Sequence, residues 1–238
     1  MRNLQERMVV SEKLSYGVDP TGAPVEVPTG NIIVTGSPGS GATMTMRSLA
    51  YDAMDKGWDV AVATPKYTHP YGEFPDLAGH ADREFHSDPN DTPGNFRAEA
   101  ERLAEWIETV PVGTAGHPRL VVLDSFQSVV GGDADLMDRC LRAMVRLLGD
   151  RHTTVSMRMQ VLISREVPDR LARSIDAVIA MGQHSAHDAA HVFPLVGRYA
   201  NAPDMALLTN HGQARGYGVL VTPEAAVPTH TPLIESSR

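Results

Sequence analysis

The eight residues Gly36-Ser37-Pro38-Gly39-Ser40-Gly41-Ala42-Thr43 constrain this chain more than any other stretch, because they follow directly on the apolar run Ile32-Ile33-Val34-Thr35. The spacing is that of the phosphate-binding loop, G-x-x-x-x-G-K-[ST], which joins a buried strand to a helix. The helix is expected from Met44 to Lys56. One position departs from the pattern: Ala42 stands where the loop lysine belongs.

The physical logic of such a loop survives in part. Its glycines let the backbone curl so that successive N–H groups converge on an anion. The helix adds the positive end of its dipole. Gly36, Ser37, Pro38, Gly39, Ser40, Gly41, Ala42, Thr43 and Met44 are therefore the expected phosphate cradle, and the Thr43 hydroxyl is the expected Mg²⁺ ligand. What is lost is the lysine charge that would neutralise the outer phosphates.

A second motif supports the first. Leu120-Val121-Val122-Leu123-Asp124 is an apolar run ending in a carboxylate, the pattern of a buried parallel strand with Asp124 at its C-terminal edge. Asp124 is the expected catalytic carboxylate, and reaches Mg²⁺ through water. The next residue is Ser125, where many such ATPases carry a glutamate that activates water. Two catalytic positions, Ala42 and Ser125, thus depart together.

The chain has 238 residues, 42% of them hydrophobic, enough to bury a full core. The expected organisation is an N-terminal ribbon over 1–30, one α/β domain over 31–222 and a tail over 223–238. No apolar run is long enough to span a membrane, and the N-terminus lacks a secretory pattern. The single cysteine, Cys140, cannot form an internal disulfide and suits a reducing cytoplasm. Its place on an amphipathic helix reads as core.

Strands are expected at 31–35, 59–64, 120–123, 160–164, 177–181 and 218–221. Helices are expected at 43–56, 96–110, 133–149 and 185–197, and the Pro/Gly/His-rich stretch 66–95 reads as irregular. Such alternation implies a mostly parallel sheet with helices on both faces and the site at the C-terminal strand edge.

Several other residues invite a chemical reading. His184, His187 and His191 share one face of a helix, with Asp188 between them. A zinc site is one reading and ordinary helix-flanking histidines the other. Met157 and Met159 read as packing residues beside Arg158, at a loop or strand edge. Net charge is −8, yet the segment from Arg139 to Arg173 holds eight arginines against three acids and carries +5, leaving −13 elsewhere. That segment is either a solvated helix face or a grip for phosphate backbones.

At this point the chain resembles a known family. Tyr16-Gly17-Val18-Asp19-Pro20-Thr21-Gly22-Ala23-Pro24-Val25, then the loop, then Met46-Arg47-Ser48-Leu49, is similar to the FtsK/SpoIIIE branch of the FtsK–HerA P-loop ATPases. There a "G-x-D-x-x-G-x-P" ribbon precedes the loop and the helix continues "LLRSL". Thr64-Pro65-Lys66 with Tyr71-Gly72-Glu73-Phe74 resembles the family's "DPK…aPY" stretch. Ser185-Ala186-His187-Asp188 and Arg215-Gly216-Tyr217-Gly218-Val219-Leu220 resemble its C-terminal segments more loosely.

The resemblance implies a RecA-like fold, ATP or ADP with Mg²⁺, a homo- or hetero-oligomeric ring and a cargo of DNA or protein. Double-stranded DNA would meet the 139–173 arginines, chiefly Arg151 and Arg158. The losses at Ala42 and Ser125 are similar to the degenerate modules of type VII secretion motors, and leave open whether the chain is an enzyme. A second resemblance competes, since Asp124-Ser125-Phe126-Gln127-Ser128-Val129 is similar to the equivalent strand of RecA, RadA and KaiC proteins. A non-enzymatic assembly subunit that keeps the fold for packing is the remaining alternative.

Overall fold

The computed structural model describes residues 13–64, 81–86, 96–124, 134–159, 169–183, 185–210 and 215–232. The strands are β1 (Lys13–Val18), β2 (Pro24–Pro28), β3 (Ile32–Thr35), β4 (Asp59–Thr64), β5 (Arg83–His86), β6 (Arg119–Leu123), β7 (Thr153–Met159), β8 (Ala177–Met181), β9 (Tyr217–Val221) and β10 (Ala226–His230). The helices are α1 (Ala42–Asp55), α2 (Phe96–Thr109), α3 (Ala134–Leu148), α4 (Asp169–Ala172), α5 (Ala186–Ala190), α6 (Val192–Leu195) and α7 (Ala202–Asn210).

All the described strands form one sheet in the order β2-β1-β10-β9-β8-β3-β7-β6-β4-β5. From β8 to β5 the neighbours run parallel; from β8 back to β2 they are antiparallel. The fold is the expected α/β, RecA-like architecture. Its central parallel strands β3, β6, β7 and β8 are buried end to end because both faces are covered.

Strand alternation sorts the core into two layers. Ile33, Ala61, Val121, Leu123, Val155 and Met157 point towards α2, α3 and the C-terminal helices. Ile32, Val34, Val60, Val62, Leu120 and Val122 point towards α1. Helix α1 buries Met46, Leu49, Ala50 and Ala53, which fall at helical spacing.

The stretch before residue 31 is part of the sheet. The Asp19 carboxylate closes its turn by accepting from Thr21 N (2.8 Å), Thr21 Oγ1 (2.6 Å) and Ala23 N (3.0 Å). These bonds, led by the Thr21 hydroxyl, hold the Asp19 carboxyl below its usual range. Gly22 takes the left-handed conformation that the turn requires (φ 86°). The Asp and Gly of the ribbon motif are thus explained by one turn. Strand β1 is tied to α1 by Ser15 N donating to Asp52 Oδ2 (2.7 Å).

Several elements stand apart from the expected ones, α7 (Ala202–Asn210) among them. The strand expected at 160–164 lies outside the described residues, and the observed central strand is Thr153–Met159. The stretch expected to be irregular contains β5, a short edge strand paired in parallel with β4. The helix expected at 185–197 breaks at His191, which ends α5 and begins α6. Pro194 has no N–H to continue the earlier ladder. Strand β10 forms within the expected tail, although its Pro228 argues against a strand. It is tolerated because pairing with β1 is confined to Val18↔His230.

Candidate nucleotide site

The loop after β3 is held by its neighbours. Ser37 N and Oγ both donate to Gly182 O at 2.9 Å, at the end of β8. Gly216 N donates to Ser40 O (2.9 Å), so the turn before β9 docks against the loop. Gly41 sits at this contact with φ 106°, and a Cβ there would lie 3.0 Å from Gly216 N. Conformation and space both exclude a side chain at this position.

Helix α1 starts at Gly41 without a side-chain cap and without an acidic residue in its first turn. Its leading amides are left for an anion or water. They open on a cleft of about 510 Å³ lined by Gly39, Gly41, Thr43, Arg158, Arg215 and His230, among others. Ser37, Ala42 and Met44 also face it, while Gly36 lies buried beneath the loop and Pro38 is exposed at its tip. Ser40 is 7% exposed, and its Oγ has no hydrogen-bond partner among the described residues. The Ala42 side chain is buried against the α1 face of the sheet.

Asp124 caps β6, its N–H donating to Ala63 O at 2.9 Å, and its side chain is fully buried. Strand β7 separates it from β3. On β7, Val155, Met157 and Met159 face the α2/α3 layer, so Arg158 points the other way, towards α1. Its Nη1 donates to Thr43 Oγ1 (2.7 Å) and to Asp124 Oδ1 (3.2 Å). Arg158 is 6% exposed, and its buried Nε has no partner among the described residues.

Arg158 was not among the expected site residues. The expectation that DNA would meet Arg151 and Arg158 is corrected for Arg158, which lies inside the loop cleft. Met157 and Met159 are buried packing residues, as read. The missed signal was alternation in Val155-Ser156-Met157-Arg158-Met159, which puts an arginine on the loop side of a central strand. Of the other arginines, Arg142 pairs with Asp138 and Arg146 bonds the end of α2, while Arg151 and Arg173 are exposed. Arg165 lies outside the described residues. So do Ser125, Lys66, Glu73 and His184.

Thr43 Oγ1 and Asp124 Oδ1, the two oxygens expected to serve Mg²⁺, therefore share one guanidinium nitrogen. Mg²⁺ demands oxygens at about 2.0–2.1 Å in near-octahedral array. An ion bonded to Thr43 Oγ1, with Asp124 Oδ1 holding one of its waters, would have to take both oxygens from Arg158, so the pair as it stands does not fit one. His187 and His191 meet edge-on with their Nε2 atoms 3.3 Å apart, and Ser185 caps α5 through the Asp188 amide. No group of three or more His, Cys, Asp or Glu that could hold a metal occurs among the described residues. Cys140 is buried, its Sγ donating to Ala100 O, and burial pushes its thiol up to about 12.

A strand–loop–helix phosphate cradle beside a strand-end Asp, with one strand between them, defines a P-loop α/β domain of the RecA kind. Known structures of that fold place it more narrowly. The chain is similar to EccC of Thermomonospora curvata (ATPases 2 and 3, in complex with a signal sequence peptide), with TM-score 0.64 and 13% identity over 98% of this chain and 42% of that one. It is similar to VirB4 of Thermoanaerobacter pseudethanolicus, with TM-score 0.69 and 10% identity over 94% and 97% of the two chains. The pCW3 conjugation coupling protein TcpA, in a monomer form with ATPγS, gives TM-score 0.63 and 12% identity over 95% and 67%.

The fold is the one these three proteins share. The chain spans less than half of the EccC chain it matches. No protein-family model matches the sequence, and no curated protein matches it. No helix among the described residues is long and apolar enough to cross a membrane.

Proposed function

We propose that this chain is a nucleotide-binding domain of a secretion-, conjugation- or DNA-translocation-type motor, with ATP hydrolysis weakened or absent. The observation that carries the reading is the uncapped start of α1 at a glycine loop, opening on a cleft that also receives Arg158 and Arg215. Backbone donors and two guanidinium groups suit a nucleoside polyphosphate. Hydrolysis is weakened because Ala42 brings no charge to the outer phosphates and Ser125 cannot act as a general base. Membership in a ring, with an active subunit beside it, and a place inside the cell go with the same reading. If the cargo is DNA, the exposed Arg151 is a contact and the buried Arg158 is not.

A second reading is a non-enzymatic assembly subunit. The Arg158 bridge favours it, since Thr43 Oγ1 and Asp124 Oδ1 both accept from the guanidinium with no ligand present. One pair of assays separates the two. The nucleotide reading predicts a rise in melting temperature with millimolar ADP or ATP, and phosphate release from ATP at background. No shift with either nucleotide would favour the assembly subunit. Robust turnover lost on Asp124→Asn would overturn the weakened-hydrolysis part.

A further inference from the structure

We propose that Arg158 takes the place of both the loop lysine and the divalent cation, so that this site holds a nucleoside diphosphate or triphosphate without Mg²⁺. The proposal deepens the nucleotide-site reading and rests on it.

Geometry leads to it in three steps. First, the two oxygens that would hold the metal are bridged by Nη1 of Arg158, at 2.7 Å from Thr43 Oγ1 and 3.2 Å from Asp124 Oδ1. A guanidinium there supplies positive charge at the mouth of the loop and occupies both the oxygen that would bond the ion and the oxygen that would hold its water.

Second, Arg158 is fixed. It lies on β7 between β3 and β6, in register with Val34, and is 6% exposed. Its stem cannot leave the protein without disturbing a central strand, so the charge is built in.

Third, the side chain has donors to spare. It lines the cleft, and its buried Nε is unpaired among the described residues. A planar fork that anchors on Thr43 and Asp124 by one nitrogen can offer the others to phosphate oxygens. Ala42 fits the same picture. A lysine at that position would bring a second cation against the guanidinium, and a small buried residue there avoids the repulsion.

Calorimetry on the unmodified chain tests the proposal, using ADP in Mg²⁺ and, separately, in EDTA. The expected result is equal affinity within about twofold. With Mn²⁺ as probe, electron paramagnetic resonance is expected to show no ion held by the protein–ADP complex beyond that held by free ADP. A double variant, Ala42→Lys with Arg158→Ala, returns the charge to the loop and frees Thr43 and Asp124. It is expected to bind ADP at least about tenfold more tightly in Mg²⁺ than in EDTA.

An affinity of the unmodified chain that rises about tenfold or more with Mg²⁺ would overturn the metal-free site and leave the nucleotide reading standing. Metal-independent binding by the double variant would overturn it as well. No heat in either buffer would overturn the nucleotide reading, and this proposal with it. The unmodified chain decides alone if the double variant fails to fold.

Discussion

The Arg158–Asp124 pair concentrates the energetics of the site in two side chains that are 7% and 0% exposed. Removing one member of a buried ion pair strands the other charge in a poorly solvated place. Arg158→Ala is therefore expected to lower stability by about 3–5 kcal/mol, measured by urea denaturation. A loss under about 1 kcal/mol would show that the guanidinium is not what balances Asp124. At this scale the sequence was informative where residue type alone dictates geometry. The loop glycines, Thr43 and Asp124 were all legible as motif positions. Arg158 was not, because its role depends on which of two sheet faces it points to, and that required the limits of β7. The strand expected at 160–164 starts after Arg158, so the sequence reading gave Arg158 no sheet face.

Helix α2 shows how the elements hold one another. Arg146 of α3 donates to the carbonyls of Ile107, Glu108 and Val110, which α2 cannot satisfy at its own C-terminus. Arg146→Ala is expected to cost about 1–3 kcal/mol and to speed hydrogen exchange in the last turn of α2. Unchanged exchange there would contradict the capping role. Helices α1, α2 and α3 were legible from their apolar periodicity.

The elements that escaped notice share a physical cause. Strand β5 is a short edge strand with only Phe85 to suggest burial, and edges need little hydrophobic pattern. Helix α7 announces itself through Asn201, whose Oδ1 accepts from Asp204 N, and through Pro203 in its first turn; these signals are polar and brief. Strand β10 carries a proline. For the two strands, tertiary pairing rather than local pattern decides the structure.

Across the whole molecule, the sheet order places β3, β7 and β6 side by side, so the glycine loop, Arg158 and Asp124 meet at one edge although they are far apart in sequence. The ribbon and the last described strand complete the same sheet from the other side, and Gly216 and His230, where the turn before β9 meets the end of β10, wall the cleft. The turn before β9 thus presses on the loop, and Gly41 is the point of contact. That contact gives the nucleotide-site reading its most direct test: titration of ADP into the unmodified chain and into Gly41→Val, each shown by thermal melting to be folded. The account predicts one site per chain in the unmodified protein and none in the variant, because a branched side chain at φ 106° and 3.0 Å from Gly216 N distorts the cradle. Equal ADP affinity in the two proteins, or no binding by the unmodified chain at millimolar ADP, would contradict it.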